Sequence, residues 1–463
     1  MEQNCAVILA GGEGKRMKAD GPKVLCEVLF KPMLDWVIDA VRGAGVEDIC
    51  VVTGHKGHLV EEHLLVKQHL DGACQTVLQE PRLGTGHAVM QASDFIADHK
   101  GGNVLVLCGD APLMDSKNIR GALTAHETDG NAATVISARL ERPTGYGRIV
   151  RDDNDGTVNS IVEEKDASEA VRAIREVNSG AYWFAADELL EVLPKLTNDN
   201  KSGEYYLTDT LALLLKKGCR VDAFAADTED VVCGANTRSQ LNGLNGKARR
   251  RILENLMDEG VDIPCTDGIL VGPDVTVGAN TCLLPGTILR GKTDIGTNCV
   301  IGPNSLIEDS TVANYCQLNA VQCYQSTVGE GVTAGPFVHI RPGTNLSARV
   351  KIGDFVEIKN SNIGEGTKVP HLTYVGDSDV GAGVNFGCGC VTVNYDGQEK
   401  NRCTVGDHCF IGCNTNLVAP VTVGDYAYTA AGSTITEPVP ENALGIARAR
   451  QINKPGWVEK KRK

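Results

Sequence analysis

The sequence predicts an α/β domain built on a parallel sheet, followed by a parallel β-helix of six-residue repeats. Three observations carry this reading. The 463 residues exceed one ordinary hydrophobic core. Up to about residue 230, short apolar runs alternate with helix-length amphipathic stretches. Beyond Pro264, aliphatic residues recur every six positions.

In the first part the strand-like runs are Ala6 to Leu9, Ile49 to Thr53, Val104 to Leu107, Ala133 to Ser137 and Ala181 to Phe184. Each is short, β-branched or aromatic and bounded by polar residues, and the segments between them are long enough for helices. That alternation implies a parallel sheet with helices on both faces. From Thr237 to Met257, the residues Leu241, Leu244, Ala248, Ile252, Leu253 and Leu256 recur at helical spacing, which predicts a connecting helix.

In the second part Val277, Leu283, Leu289, Ile295, Ile301 and Ile307 stand six apart, and so do Val328, Ala334, Ile340, Leu346, Ile352 and Ile358. A third run follows in Val405, Ile411, Leu417, Val423, Thr429 and Ile435. Each hexapeptide supplies one short strand and one corner, and three make a triangular coil whose aliphatic residues point inward. One coil cannot bury its open ends, so many must stack. The spacing drops to five after Ile358 and after Val375 and breaks between Thr392 and Val405, where backbone is expected to leave the regular surface. The expected divisions are 1–236, a helical linker 237–260, the β-helix 261–440 and a basic tail 441–463.

Composition excludes several classes. A net charge of −14 repels nucleic-acid backbones, so no nucleic-acid partner is expected. No apolar run approaches the ~20 residues needed to span a bilayer, and Met1 to Ala10 carries an acid and no basic segment, so a cytoplasmic protein without membrane insertion is expected. The 17 cysteines are scattered without any CxxC pair, which favours reduced thiols used as small core residues over a zinc site.

The first strand runs into Leu9-Ala10-Gly11-Gly12-Glu13-Gly14-Lys15-Arg16-Met17, followed by Gly21-Pro22-Lys23. A glycine-rich turn after a strand exposes backbone N–H groups to phosphate oxygens, and Arg16 with Lys23 adds positive charge. The spacing fits neither a P-loop nor a dinucleotide fingerprint. It resembles the signature of nucleotidyltransferases that make nucleoside-diphosphate sugars, which implies a Rossmann-like nucleotidyltransferase domain.

Further matches follow in family order. Gln79 with Leu83-Gly84-Thr85-Gly86-His87 resembles the segment that reads uracil, and the resemblance implies UTP contacts at Leu9, Gly12, Lys23, Gln79, Gly84 and Thr85. Cys108-Gly109-Asp110-Ala111-Pro112-Leu113 closes an apolar strand with a carboxylate, where open α/β sheets bind ligands. The resemblance implies Mg²⁺ held by Asp110 and Asn236. Pro143 to Arg148, Ile161 to Lys165 and Val177 to Gly180 resemble sugar-binding segments, implying sugar contacts at Gly147, Glu163 and Asn178; Gly203 to Asp209 matches as well.

A cluster of polar residues in the β-helix is not required by its repeat. Arg341-Pro342-Gly343, Phe355 to Lys359, His371 to Asp377, Val384-Asn385 and Val393 to Gly397 come in succession beside the slips in spacing. They resemble the acetyltransferase half of the bifunctional N-acetylglucosamine-1-phosphate uridylyltransferase/glucosamine-1-phosphate N-acetyltransferase family, and the resemblance then covers nearly the whole chain. It implies a left-handed β-helix, assembly as a homotrimer, and acetyl-CoA and UTP as co-substrates. Arg341 and Lys359 would bind the sugar phosphate, Tyr374 and Asn385 would hold the sugar, and His371 would be the general base. Cys388, Asn394, Tyr395, Cys413, Ala431 and Arg448 would contact acetyl-CoA. Imidazole, with an ordinary pKa of about 6.5, suits deprotonation of a sugar ammonium.

Lys15, Gly11 and Cys108 depart from the residues usual in that family, and none removes a charge the chemistry needs; Cys388 and Cys413 replace small residues expected near the acyl-CoA, which implies altered affinity or sensitivity to thiol oxidation. Two rival readings remain open at this point. In one, a single-activity nucleotidyltransferase uses its β-helix only for oligomerisation. In the other, the chain is a non-enzymatic scaffold built on the same folds.

Overall fold

The structure, a computed structural model, describes residues 4–66, 74–152, 156–200 and 202–462. The chain divides into two compact units, Met1–Ala248 and Arg249–Lys463, and the division falls inside the helix Arg238–Asp258.

The sheet of the first unit has nine strands: β1 (Cys5–Leu9), β2 (Asp48–Thr53), β3 (Cys74–Leu78), β4 (Asn103–Cys108), β5 (Ala133–Arg139), β6 (Arg148–Arg151), β7 (Val158–Val162), β8 (Glu176–Ala185) and β9 (Val221–Ala225). Its main path runs β9-β5-β8-β4-β1-β2-β3, with the hairpin β6/β7 attached to β8. Alternate residues feed two cores. Ala6, Ile8, Leu105 and Leu107 pack with helix Met33–Gly43 and helix Ser116–Thr128 on one face. Cys5, Val7, Val104 and Val106 pack with Val89, Ile96, Leu189 and Leu214 on the other. Helices on both faces make each central strand apolar throughout, which is why these runs read so clearly.

One expectation is corrected. The run containing Ala181 to Phe184 belongs to β8, which lies antiparallel to both β4 and β5, so the sheet is mixed. A parallel return needs a long crossover. Among the described residues between β5 and β8 the chain forms the hairpin β6/β7 and the four-residue helix Glu169–Arg172 but no crossover helix, and it comes back in the opposite direction. The strands β3 and β9 and the hairpin are further elements that the apolar runs did not mark.

The second unit is a left-handed β-helix made of three parallel sheets with ten, nine and ten strands. Leu270 pairs with Ile288 and Ile288 with Leu306, eighteen residues on each time. The hexad residues are buried in every sheet, among them Ile301, Ile340, Ile358, Ile411 and Leu417. At the slips after Ile358 and Val375, Asn360 and Asp377 turn the corner with φ of 44° and 48°. The break after Thr392 is a loop, 394–402, that leaves the coil between strands Val391–Val393 and Cys403–Val405.

Cys299, Cys316, Cys323, Cys390, Cys403 and Cys409 are buried in this core, and none of the cysteines is in a disulfide. Among the described residues no group of three or more His, Cys, Asp or Glu converges as a metal cluster. Among them, too, no helix is long and apolar enough to cross a membrane.

His126, on helix Ser116–Thr128, is buried beside the Thr134 hydroxyl at 3.0 Å, and burial lowers its pKa to about 4. The unfolded chain therefore binds this proton first, and stability is lost as pH falls from the ordinary value toward 4. Urea denaturation of His126→Gln should show a flatter acid limb than wild type across that window, by about 3 kcal/mol at its lower end.

Candidate active sites

In the first unit, β1 and β4 are in register, with Leu9 opposite Cys108, so their carboxyl ends open side by side. A cleft of about 590 Å³ lies there, lined by Leu9, Gly12, Lys23, Gln79, Gly84, Thr85 and Asp110. Residues from four separate sequence motifs thus meet at the edge where open α/β sheets take ligands.

Two glycines are needed for their backbone. Gly14 has φ of 63°, and a Cβ there would meet Lys23 Cβ at 2.8 Å, so the loop can fold down only without a side chain. Gly84 has φ of 106° with Tyr205 O 2.6 Å from where a Cβ would stand. That close approach lets Gly86 N donate to Tyr205 O at 2.8 Å and Tyr205 N to Leu83 O at 2.7 Å, which fixes the floor of the cleft.

Lys23 is the electrostatic centre. Its ammonium is ion-paired with the Asp110 carboxylate and donates to Asn236 Oδ1 at 2.9 Å. One carboxylate oxygen and one amide oxygen therefore converge on a single cation position. A carboxylate and an amide oxygen are hard donors of the kind that would hold a small divalent cation such as Mg²⁺. Gln79 Nε2 donates to Gly84 O at 2.9 Å and lies 3.2 Å from His87 Nδ1, so His87 orients Gln79 from behind.

The three residues matched to sugar binding lie together on the neighbouring strands. Asn178 N donates to Gly147 O at 2.9 Å, and Asn178 Nδ2 donates to the Tyr182 hydroxyl at 2.7 Å. A Cβ on Gly147 would stand 3.3 Å from Glu163 Oε1. Burial raises the Glu163 pKa, whereas a hydrogen bond from the buried Arg148 at 2.6 Å lowers that of Glu164. Neighbouring glutamates thus differ in setting, Glu164 paired with Arg148 and Glu163 beside Gly147, and none of Gly147, Glu163 and Asn178 lines the cleft itself. Burial also raises the Cys108 thiol to about 12, so it stays neutral.

Arg16 is not brought to this cleft; it stands exposed on the turn Lys15–Met17, beyond the left-handed Gly14. Glu13, Arg82 and Glu204 line the cleft without having been singled out. The only signal for Glu204 was its place in the Gly203 to Asp209 match.

In the second unit, Lys359 and Tyr374 belong to strands Glu357–Lys359 and Tyr374–Gly376 of one sheet, and Arg341 directly follows strand Val338–Ile340 of that sheet. Asn385 lies on the neighbouring sheet, paired with Lys368. His371 ends strand Lys368–His371 and stands exposed at the corner between them.

Asp377 is the hub beneath Tyr374. It is nearly buried and accepts from Asn360 Nδ2 at 2.6 Å and from Asn394 Nδ2, with Lys359 Nζ 3.7 Å away. Burial works against its charge, but those hydrogen bonds and the Lys359 ammonium hold its pKa below the usual carboxylate value. Asn394 Nδ2 also donates to the Tyr374 hydroxyl at 3.2 Å. Arg341 donates to Glu357 Oε1 at 2.7 Å.

The cysteines and the histidine align. Gly389 N donates to His371 O, Asn414 N to Cys388 O and Gly432 N to Cys413 O, so His371, Cys388, Cys413 and Ala431 occupy one corner on successive coils. The Arg448 side chain lies by Gly432, 3.9 Å from where a Cβ would stand. Tyr395 is exposed on the loop 394–402.

Comparison with known proteins agrees with both halves. Residues 5–232 match the nucleotidyl transferase family, and residues 271–309 and 402–437 match the bacterial transferase hexapeptide (six repeats) family. Over 461 residues the chain is 49% identical to "Bifunctional protein GlmU" of Caldanaerobacter subterraneus subsp. tengcongensis, covering 100% of this chain and 99% of that one. The chain belongs to the bifunctional GlmU family. GlmU proteins of Thermoanaerobacter pseudethanolicus (48% identical, 100% of this chain and 99% of that one) and Clostridium acetobutylicum (47%, 99% and 98%) align over the same extent. Both clusters therefore lie within the aligned length of the GlmU relatives.

Lys23→Ala should leave Asp110 and Asn236 without the ammonium they share. The expected outcome is a ~10²- to 10³-fold slower nucleotidyl transfer, read by pyrophosphate release, in a protein whose Tm falls but which remains folded at the assay temperature.

Proposed function

We propose that the chain is a bifunctional enzyme that acetylates glucosamine 1-phosphate with acetyl-CoA and then transfers UMP from UTP to the product, N-acetylglucosamine 1-phosphate. UDP-N-acetylglucosamine and pyrophosphate result, the former a precursor for the cell envelope. The observation that carries this reading is the presence in one GlmU-family chain of two separate clusters, Lys23–Asp110–Asn236 and the His371 corner. The single-activity and scaffold readings leave the second cluster without a purpose.

In the first site a sugar-phosphate oxygen attacks the α-phosphorus of UTP in line, and pyrophosphate departs. Lys23 neutralises charge that shifts toward the leaving group, and the glycine loop offers backbone N–H groups to the phosphates. Arg16 adds charge from the exposed turn. Gln79, Gly84 and Thr85 hold the nucleotide; Gly147, Glu163 and Asn178 hold the sugar. Asp110 and Asn236 would hold Mg²⁺, which when bound draws negative charge from the phosphates.

In the second site Arg341 and Lys359 bind the sugar phosphate, and Tyr374 and Asn385 position the sugar. His371 takes the proton from the 2-ammonium group. The free amine then attacks the thioester carbonyl carbon, the C–S bond breaks, and the proton shed by the new amide nitrogen goes to the CoA sulfur, which leaves as the thiol. Acetyl-CoA lies along the column of Cys388, Cys413, Ala431 and Arg448, with Asn394 and Tyr395 at its side.

Asn385 sits on a different sheet from Lys359, which supports a site completed by a second copy of the chain. Phe337, Phe355 and Leu372, 59–62% exposed, form an apolar strip on successive coils next to His371, and the two phenyl rings stack at 5.3 Å. Such a strip favours burial against another β-helix, and a homotrimer is the assembly that closes around three prisms. The substrates are cytoplasmic metabolites, which places the enzyme in the cytoplasm.

An assay with UTP, glucosamine 1-phosphate and acetyl-CoA, omitting each in turn, tests the reading. UDP-N-acetylglucosamine should form only when all three are present. His371→Ala should abolish acetyl transfer alone, and Asp110→Ala nucleotidyl transfer alone; loss of both from either change in a folded protein contradicts independent sites.

A further inference from the structure

The loop 394–402 is tied at both ends to the coil beneath it. At its start Asn394 reaches Asp377 and the Tyr374 hydroxyl. At its end Arg402 grips Asp379 with two parallel bonds, Nε to Oδ2 at 2.9 Å and Nη2 to Oδ1 at 2.7 Å, while Nη1 donates to Asn360 O at 2.9 Å. Asp379 is itself held by Asn362 Nδ2 at 2.7 Å. Between these anchors Asp396 Oδ1 accepts from Gln398 N at 2.8 Å and Glu399 N at 2.7 Å, which turns the chain back on itself.

That turn delivers Lys400 beside Lys359, and the nearness of the Lys359 ammonium lowers the Lys400 pKa. Two ammonium groups so close repel each other. A loop fastened only at Asn394 would relieve the repulsion by swinging Lys400 into water. Arg402 stands two residues further on and its bidentate bond removes that freedom.

We propose that Asp379 and Arg402 form a positioning pair for acetyl transfer, locking the loop in the conformation that presents Asn394, Tyr395 and Lys400 to the substrates. The proposal rests on the reading of the His371 corner as the acetyl-transfer site. Neither residue touches the substrates; both act through the loop. The side chains are 40% and 47% exposed, so the pair adds little to global stability. Its worth lies in geometry, since a small misplacement of binding groups costs far more in rate than in folding.

Arg402→Ala, Asp379→Ala, Arg402→Lys and the exchange Asp379→Arg with Arg402→Asp test it in the full chain. Both alanine variants should raise the KM for the acetyl-transfer substrates on the order of tenfold or more, with a smaller change in kcat. Uridylyl transfer and Tm should match wild type. Arg402→Lys should recover only part of the loss, because an ammonium cannot make the paired bonds, and the exchange should recover more than either of its single changes.

Limited trypsin digestion reads the loop independently of activity. Asp379→Ala should be cut after Lys400 or Arg402 faster than wild type. Acetyl-transfer constants equal to wild type in both alanine variants, or equal cutting rates, overturn the positioning role. So does a fall in Tm with matching losses in both activities. A wild-type chain that consumes no acetyl-CoA while still making a nucleotide sugar overturns the underlying reading of the corner, and the positioning role with it.

Discussion

In-register pairing of parallel strands holds both sets of functional side chains in place. A parallel strand cannot satisfy its backbone alone, so each N–H must reach a carbonyl on a neighbour, and the ladder fixes which residues stand side by side. In the first unit this puts Leu9 opposite Cys108, so two loops distant in sequence open on one cleft. In the β-helix it stacks His371, Cys388, Cys413 and Ala431 at one corner, coil upon coil. The catalytic geometry is inherited from rigid backbone, which is the cheapest way to keep it.

Charges are placed on this frame so that each is met by another. Lys23 joins Asp110 to Asn236, and Asp377 gathers Asn360, Asn394 and Lys359. Lys23, Asp110 and Lys359 keep some access to water, whereas Asp377 is buried and relies on its hydrogen bonds to offset desolvation. A like-charge approach, Lys400 to Lys359, survives because hydrogen bonds elsewhere in the loop hold it.

The two units differ in how openly their sequence announces them. Hexad residues such as Ile340 and Ile358 point inward and are mostly aliphatic because a thin triangular interior admits one such residue per strand, so the period is visible without any alignment. The runs at β1, β2, β4 and β5 were equally plain, being buried on both faces. The direction of β8 was not. A strand buried on both faces reads as an apolar run whichever way it points, and only what the preceding connection folds into decides. Arg402 and Asp379 carried no signal either, since a charge on an exposed corner resembles ordinary solvated surface.

The sequence by itself determined the unit types, the glycine turn and the chemistry-bearing residues of the matched motifs, because period, turn composition and motif order are local properties of the chain. Tertiary structure alone decided that Lys23 bridges Asp110 to Asn236, that Arg16 remains outside the cleft, and that Asn394 and Arg402 anchor one loop to one coil. Those outcomes depend on contacts between residues far apart in the chain, where strand register and side-chain reach, not local pattern, set the distance.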